Sequence, residues 1–219
     1  QTIDRIKSKY LNQISENDQN NFKENLKIIN NQIKQIENLV NEFSDFARMP
    51  KPIIKNNNLI SILNDNIQLL AEIDISIEIE FLKKSDEIQF KCDKEQIGRV
   101  FFNLIKNSIE SIQQKAEKNP DFKKKISIEI SINNEHIKIT LLDNGIGFNK
   151  DNNIKEILNP YYTTKKNGTG LGLSIVNKII NDHNGELEFI SITDGAKIEI
   201  IFELNGSRNF NSWWSVSYT

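Results

Sequence analysis

The sequence predicts an α+β protein, a two-layer α/β sandwich in which helices cover one face of a sheet, preceded by a partial helical hairpin. Three observations carry that reading. Residues 22–46 repeat apolar side chains every three or four positions, as a long helix does. Residues 75–81, 125–132 and 136–143 alternate apolar and polar residues, as half-buried strands do. Between the strands lie segments of helical periodicity, the longest over 93–118.

The helical part comes first. Phe22, Leu26, Ile29, Ile33, Ile36, Val40 and Phe43 step by four and three, the roughly 3.5-residue seam of a coiled coil or antiparallel bundle. Ile3, Ile6, Tyr10 and Ile14 make a shorter stripe, separated from the long helix by the polar turn SENDQNN (15–21). Together they read as a hairpin with a shortened first arm. Two helices cannot cover both of their apolar faces, so the region is expected to dimerise or to lie on another surface. ARMPKP (47–52) ends it, because proline pushes the preceding residue out of the helical region.

The α/β part follows. A helix over about 58–71 leads to ISIEIEF (75–81), where Ile75, Ile77, Ile79 and Phe81 define one buried strand face. A short strand, IQFKC, enters the 93–118 helix. KISIEISI and HIKITLLD are two strands joined through NNE as a hairpin. After two glycine-containing loops come a helix over 171–183 and strands near 186–192 and 197–204, joined through TDG. The expected organisation is a hairpin at 1–52, an α/β domain at 53–204 and a tail at 205–219 that holds both tryptophans and has no assigned role.

Bulk properties narrow the function classes. The chain of 219 residues is 37% hydrophobic and 26% charged, a globular composition. A net charge of −2 and a pI near 5.9 give no signature of nucleic-acid or anionic-membrane binding. The single cysteine, Cys92, excludes an internal disulfide and any cysteine-based metal site, and it fits a reducing compartment. No apolar run approaches the about 18 residues of a membrane span. The sequence opens on Gln1 rather than Met, as a piece of a longer protein would. Asparagine, isoleucine and lysine are over-used throughout, so isolated Asn and Lys residues carry little weight.

Three segments carry chemistry. KKNGTGLGLSIVNKI (165–179) sets three glycines at alternate positions before a helix. Glycine lets a backbone approach a ligand closely, and a helix N-terminus attracts anions. The Walker pattern fails, because Lys165 and Lys166 precede the glycines. The dinucleotide fingerprint fails too, for NPYYTT upstream is no buried strand. Alone, the loop is either a phosphate site or an ordinary helix entry. On the 93–118 helix, Val100, Phe101, Leu104, Ile105, Ile109 and Ile112 share one face, with Asn103, Asn107 and Glu110 opposite. That polar side is a solvated face, or it offers the hard amide oxygen of Asn107 to Mg²⁺. In DNGIGF (143–148), Asp143 follows a strand. It either caps a turn or accepts the exocyclic amine of adenine, with Gly145 and Gly147 letting the backbone lie against the purine.

The order of these segments is specific. NLIKNSIESI (103–112), DNGIGF (143–148), PYYTTK (160–165) and GTGLGLSIV (168–176) resemble the N, G1, F and G2 boxes of the ATP-binding domain shared by sensor histidine kinases, gyrase-type ATPases and mismatch-repair ATPases. The likeness is strong over about 93–204. With NEFSDFARMPKP (41–52) added, the chain is most similar to the cytoplasmic part of sensor kinases of the NtrY/NtrB nitrogen-regulation family.

The resemblance implies ATP and Mg²⁺ as ligands. It implies that Asp143 holds adenine in a pocket shaped by Gly145 and Gly147, that Asn107 ligates Mg²⁺, and that Asn103 and Lys106 stand near the phosphates. Thr164, Lys165 and Lys166 would lie in a mobile lid. The loop of Gly168, Thr169, Gly170, Leu171 and Gly172 would cradle the phosphates through its amides. Asn103 stands where related hydrolysing ATPases carry a glutamate that activates water. An amide cannot act as a general base, which favours a kinase over a gyrase-type hydrolase; a degenerate ATP-binding scaffold without kinase activity is the other alternative. Departures are equally informative. The family's acceptor histidine, in a motif like H-E-x-x-N-P, is missing: His136 opens a strand, and His183 reads as a helix C-terminal residue favoured by the dipole. QTIDRIKSKY resembles the stretch just after that motif, so the acceptor is expected before Gln1. Tyr161 and Tyr162 replace the usual Phe-Phe. Expected partners are a response-regulator receiver domain and a second copy through the hairpin, with no nucleic acid. The parent is expected in the inner membrane, with this part facing the cytoplasm and making no membrane contact.

Overall fold

The computed structural model describes residues 2–119, 121–148, 154–165 and 168–204. Lys166 and the 205–219 tail lie outside the described residues. The chain divides into two compact units: Gln1–Pro50 with Tyr161–Leu171, and Lys51–Pro160 with the chain from Gly172 onward.

In the first unit, α1 (Thr2–Tyr10) runs through a 3-10 turn, Leu11–Gln13, into α2 (Glu16–Ala47). The long helix thus begins six positions earlier than its apolar stripe, and most of SENDQNN is helical. Ser15 provides the entry: its carbonyl accepts from the Asp18 and Gln19 amides, and its hydroxyl bonds Asp18 at 2.6 Å. Polar residues do not break a helix once its entry is set; they only hide it from a hydrophobic pattern. Leu26 is buried, but Ile29, Ile33, Ile36, Val40 and Phe43 are exposed along α2.

The second unit opens with β1 (Lys55–Asn58), α3 (Leu59–Ala71), β2 (Glu78–Lys83), β3 (Gln89–Cys92) and α4 (Lys94–Ala116). Then come β4 (Lys125–Ile132), β5 (His136–Asp143), the short α5 (Ile154–Ile157), α6 (Gly172–Asp182), β6 (Gly185–Ser191) and β7 (Ala196–Glu203). The main sheet has the order β2-β4-β5-β7-β6, with β2 parallel to β4 and every other pair antiparallel. β1 and β3 form a separate antiparallel ribbon. β1 reads KNNN and has no apolar alternation. Its side chains bond instead: Asn57 Nδ2 donates to the Cys92 carbonyl at 2.9 Å, and Asn58 Oδ1 caps α3 through the Ile60 amide.

One face of the sheet is apolar. Ile126, Ile128 and Ile130 of β4 stand beside Ile137, Ile139 and Leu141 of β5 and beside Ile198, Ile200 and Phe202 of β7, all buried. Val100, Phe101, Leu104, Ile105, Ile109 and Ile112 of α4 are buried too, and α4 packs against both α3 and α6. The other face is polar and crossed by ion pairs: Lys125–Glu80 at 2.9 Å, and Glu199 with Lys138 and Lys197, each at 2.7 Å. Among the described residues no helix is long and apolar enough to cross a membrane.

β2 corrects the expected strand at 75–81. Ile75 is 91% exposed, and the strand starts at Glu78. Asp74 is the reason. Its carboxylate accepts from the Ser76 amide (3.1 Å), the Ser76 hydroxyl (2.5 Å) and Lys124 Nζ (3.0 Å), while its carbonyl accepts from the Ile77 amide. Residues 74–77 are therefore spent on a turn before the strand can pair. The Ser76 hydroxyl and the Lys124 ammonium hold the Asp74 carboxyl down to about 2, well below the ordinary carboxylate range. A depressed carboxylate stabilises the fold above its unfolded-state value and loses that contribution as pH falls through the folded one. Asp74→Asn should cost roughly 1 kcal/mol at pH 7, a modest amount because the turn is at the surface. In urea unfolding followed by circular dichroism, the gap between the two proteins should close between about pH 4 and pH 2.

Candidate functional site

Asp143 is the last residue of β5, cross-strand from Ile126 on one side and Ala196 on the other. It continues the row Ile137, Ile139, Leu141, and so points to the helix-covered face, where it is 3% exposed. A carboxylate in an apolar row needs donors. Ser108 of α4 donates its hydroxyl to Oδ2 at 2.8 Å, and the Gly145 amide donates to Oδ1 at 2.9 Å. Burial pushes the Asp143 carboxyl up, against the opposing pull of the Gly145 amide, the Ser108 hydroxyl, the Ala196 amide and the Lys115 charge. The turn-cap reading therefore holds for one oxygen, while the other is fixed to a helix.

The loop that follows lies on α4. The Ile146 amide donates to Ser111 Oγ at 3.0 Å, and Lys115 Nζ donates to the Asn144 carbonyl at 2.7 Å. Lys115 also pairs with Asp194 in the β6–β7 turn. A Cβ on Gly145 would stand 2.2 Å from Ser111 Oγ. Gly147 adopts φ +72°, and a Cβ there would meet the Gly195 carbonyl at 2.4 Å. The glycines are thus required by packing as well as by turn geometry. Ser108, Ser111, Lys115 and Gly195 escaped the sequence reading. Their signal was a polar run at steps of three and four, 108–111–115, beside the apolar stripe of α4.

Asn103 and Asn107 lie one turn apart on α4, both half-buried. Asn103 Nδ2 donates to the Arg99 carbonyl at 2.8 Å, and a Cβ on Gly172 would lie 3.1 Å from Asn103 Oδ1. The N-terminus of α6 is therefore brought against Asn103. Lys106 is a surface residue, 3.8 Å from Glu110 in an i,i+4 pair.

The remaining candidates belong to the first unit. The Tyr161 amide donates to the Gly170 carbonyl at 3.0 Å, which closes the base of the 161–170 loop. Gly170 has φ +71°, and a Cβ there would meet the Tyr161 backbone at 2.4 Å. The Gly168 amide donates to the Lys165 carbonyl, and the Lys165 amide to Thr163 Oγ1. Thr164 and Lys165 are exposed and Leu171 is buried. Thr169 donates its hydroxyl to Glu42 of α2.

The chain is similar to known proteins over most of its length. The chain is 34% identical over 202 residues, 92% of its length, to a protein of Rickettsia bellii named as an NtrY-like sensor histidine kinase. It is 30% identical over 215 residues to the nitrogen regulation protein NtrY of Azorhizobium caulinodans, of which it covers 27%. It spans about a third of the length of the first of these relatives. Among solved structures, the catalytic domain of the histidine kinase ThkA is similar at a TM-score of 0.59 and 25% identity, covering 68% of this chain and 97% of that one. ThkA in complex with the response regulator protein TrrA shares the fold at a TM-score of 0.67 and 18% identity, over 92% of this chain and 56% of that one. The family described as histidine kinase-, DNA gyrase B- and HSP90-like ATPases matches residues 92–206, just over half of the chain, and the chain belongs to that family.

Proposed function

We propose that this chain is the ATP-binding catalytic portion of a sensor histidine kinase. It would direct the γ-phosphoryl group of ATP to a histidine outside the chain, and thence to an aspartate of a response-regulator receiver domain. Residues 1–52 serve as part of a dimerisation hairpin and 53–204 as the catalytic domain. The exposed stripe of Ile29, Ile33, Ile36, Val40 and Phe43 supports pairing with a second copy. By analogy with the NtrY relatives, the parent is anchored in the inner membrane with this part in the cytoplasm.

The observation that carries the reading is the buried Asp143 carboxylate, held from two sides by Ser108 and Gly145. A carboxylate retained in an apolar row is costly unless its remaining acceptor capacity is used. The exocyclic amine of adenine supplies the missing donor, and guanine, with a carbonyl there, is repelled. Asn103, Lys106 and Asn107 face the phosphates, with Asn107 giving Mg²⁺ one amide oxygen. Among the described residues no three of His, Cys, Asp or Glu gather as metal ligands. Mg²⁺ takes most of its oxygens from phosphates and water. Mg²⁺ would neutralise charge as the γ-phosphoryl moves. The amides of Gly168, Gly170, Leu171 and Gly172 cradle the phosphates, Thr169 belongs to the same loop, and Thr164, Lys165 and Lys166 cover it.

Phosphoryl transfer asks the protein for positioning and charge stabilisation. In the transfer, a bond forms from an imidazole nitrogen to the γ-phosphorus while the bond to the ADP oxygen breaks. Asn103 cannot deprotonate water, and its Nδ2 is already given to Arg99, so hydrolysis stays slow. Neither histidine of the chain suits the acceptor role. His183 is buried with both ring nitrogens bonded, and His136 lies against Asn133 at the start of β5.

The deciding experiment incubates this chain with labelled Mg·ATP, alone and mixed with an N-terminally extended form that contains the acceptor motif. Binding without acid-labile phosphohistidine on this chain, together with labelling of the extended form, is expected; labelling of this chain itself would refute the assignment. Asp143→Asn should weaken ATP by about 1.5–3 kcal/mol, the range for a hydrogen bond to a charged group; an unchanged affinity by calorimetry removes Asp143 from the site. Asn107→Ala should bind ATP without Mg²⁺ dependence while melting normally. Retained Mg²⁺ dependence would place the metal elsewhere.

A further inference from the structure

His183 follows the last residue of α6 and is 7% exposed. Its Nδ1 bonds the Ile179 carbonyl at 2.8 Å, and its Nε2 bonds the Asp93 amide at 3.0 Å. A carbonyl only accepts and an amide N–H only donates. Nδ1 therefore donates to the Ile179 carbonyl and Nε2 accepts from the Asp93 amide. The dipole reading of His183 placed it at a helix end, and the side chain bridges that end to Asp93.

Asp93 is a junction in its own right. Its Oδ1 caps α4 through the Glu95 and Gln96 amides, and its Oδ2 accepts from the Ile53 amide at 2.8 Å. Burial alone would raise the Asp93 carboxyl, but the amides of Ile53, Gln96 and Glu95 outweigh it and hold it low. Thus the C-terminus of α6 is tied to the N-cap of α4, and the same cap ties the strand of chain that enters this unit.

Ten positions along α4 stands Asn103, and eleven positions back along α6 stands Gly172. These two residues also meet, at a separation that leaves little room for a side chain on Gly172. At about 1.5 Å per residue, both spans are near 15 Å. α4 and α6 therefore run antiparallel and are pinned at two levels, Asp93–His183 and Asn103–Gly172. Ser108 and Gly145 bond Asp143, and Ser111 bonds Ile146, so these contacts join α4 to β5 and the loop after it.

We propose that His183 is a positioning residue for the phosphate end of the nucleotide site, setting the register of α6 on α4 and with it the fit of Gly172 against Asn103. This rests on the ATP reading given above. Releasing the His183 pin frees α6 to slide or tilt while the adenine end, built on α4 and β5, keeps its geometry. The consequence is a split between ligands: those with phosphates weaken and the bare nucleoside does not.

The test titrates Mg·ATP and adenosine into the full 219-residue chain and three variants by calorimetry, with melting followed in parallel. His183→Ala removes the bridge, and His183→Phe keeps a ring of similar size without either hydrogen bond. In whichever of these folds, Mg·ATP should bind about tenfold more weakly, the value of one or two buried hydrogen bonds, with adenosine unchanged. His183→Gln, which retains an amide donor and a carbonyl acceptor, should recover most of the ATP affinity. Equal ATP affinity in a folded variant overturns the proposal. So does a parallel loss of both ligands, and so does failure of both Ala and Phe variants to fold, since either would make His183 a residue of general stability. A wild-type chain that binds neither ligand would overturn the ATP reading and this proposal with it.

Discussion

The second unit is organised around a carboxylate in an apolar place. The alternation that buries Ile137, Ile139 and Leu141 carries Asp143 to the same side, with Ile126 and Ala196 as neighbours. Hydrophobic burial and charge solvation oppose each other there, and the surroundings are built to reconcile them. Ser108 reaches in from α4, the chain turns back so that Gly145 can offer its amide, and Ala196 and Lys115 add their pull. Removing the charge would ease the packing and discard the group proposed to meet adenine. Such a conflict between packing and local chemistry is where function is to be sought.

α4 resolves the conflict because it presents three different sides. One is apolar and lies in the core through Val100, Phe101, Leu104, Ile105, Ile109 and Ile112. A second, Ser108, Ser111 and Lys115, receives β5 and the loop after it. The third carries Asn103 and Asn107. A single helix thus fixes the distance between the buried carboxylate proposed to meet adenine and the residues proposed to meet the phosphates. Its N-cap, Asp93, is held by His183 and in turn holds Ile53.

The glycines divide by what they do. Gly145, Gly147 and Gly195 let three backbone segments approach one another beneath the loop of 143–147, where a side chain would meet Ser111, the Gly195 carbonyl or the Asp143 carbonyl. Gly170 serves the turn conformation that closes the 161–170 loop. Gly172 opens α6 beside Asn103. Loops of this kind are usually read as ligand cradles. Here much of their glycine content is already required by protein packing, before any phosphate is considered.

The sequence by itself determined the N-terminal helical part, the α/β class, most of the strands, the main helices and the family, because periodicity and ordered motifs are local properties of the chain. Asn103, Asp143 and the glycine-rich segments were legible for the same reason. Tertiary structure decided what depends on contacts between distant residues. Ile75 belongs to the strand pattern, but Asp74 accepts from Ser76 and Lys124, and the turn wins. KNNN looks like compositional noise, yet it pairs with β3 once Asn57 finds the Cys92 carbonyl. Ser108 became a partner of Asp143, and His183 a bridge to Asp93, only when helices far apart in sequence were packed together. Hydrophobic burial is written into every turn of a helix or strand, whereas a polar side chain acquires its role from whichever donor or acceptor the fold brings within about 3 Å of it.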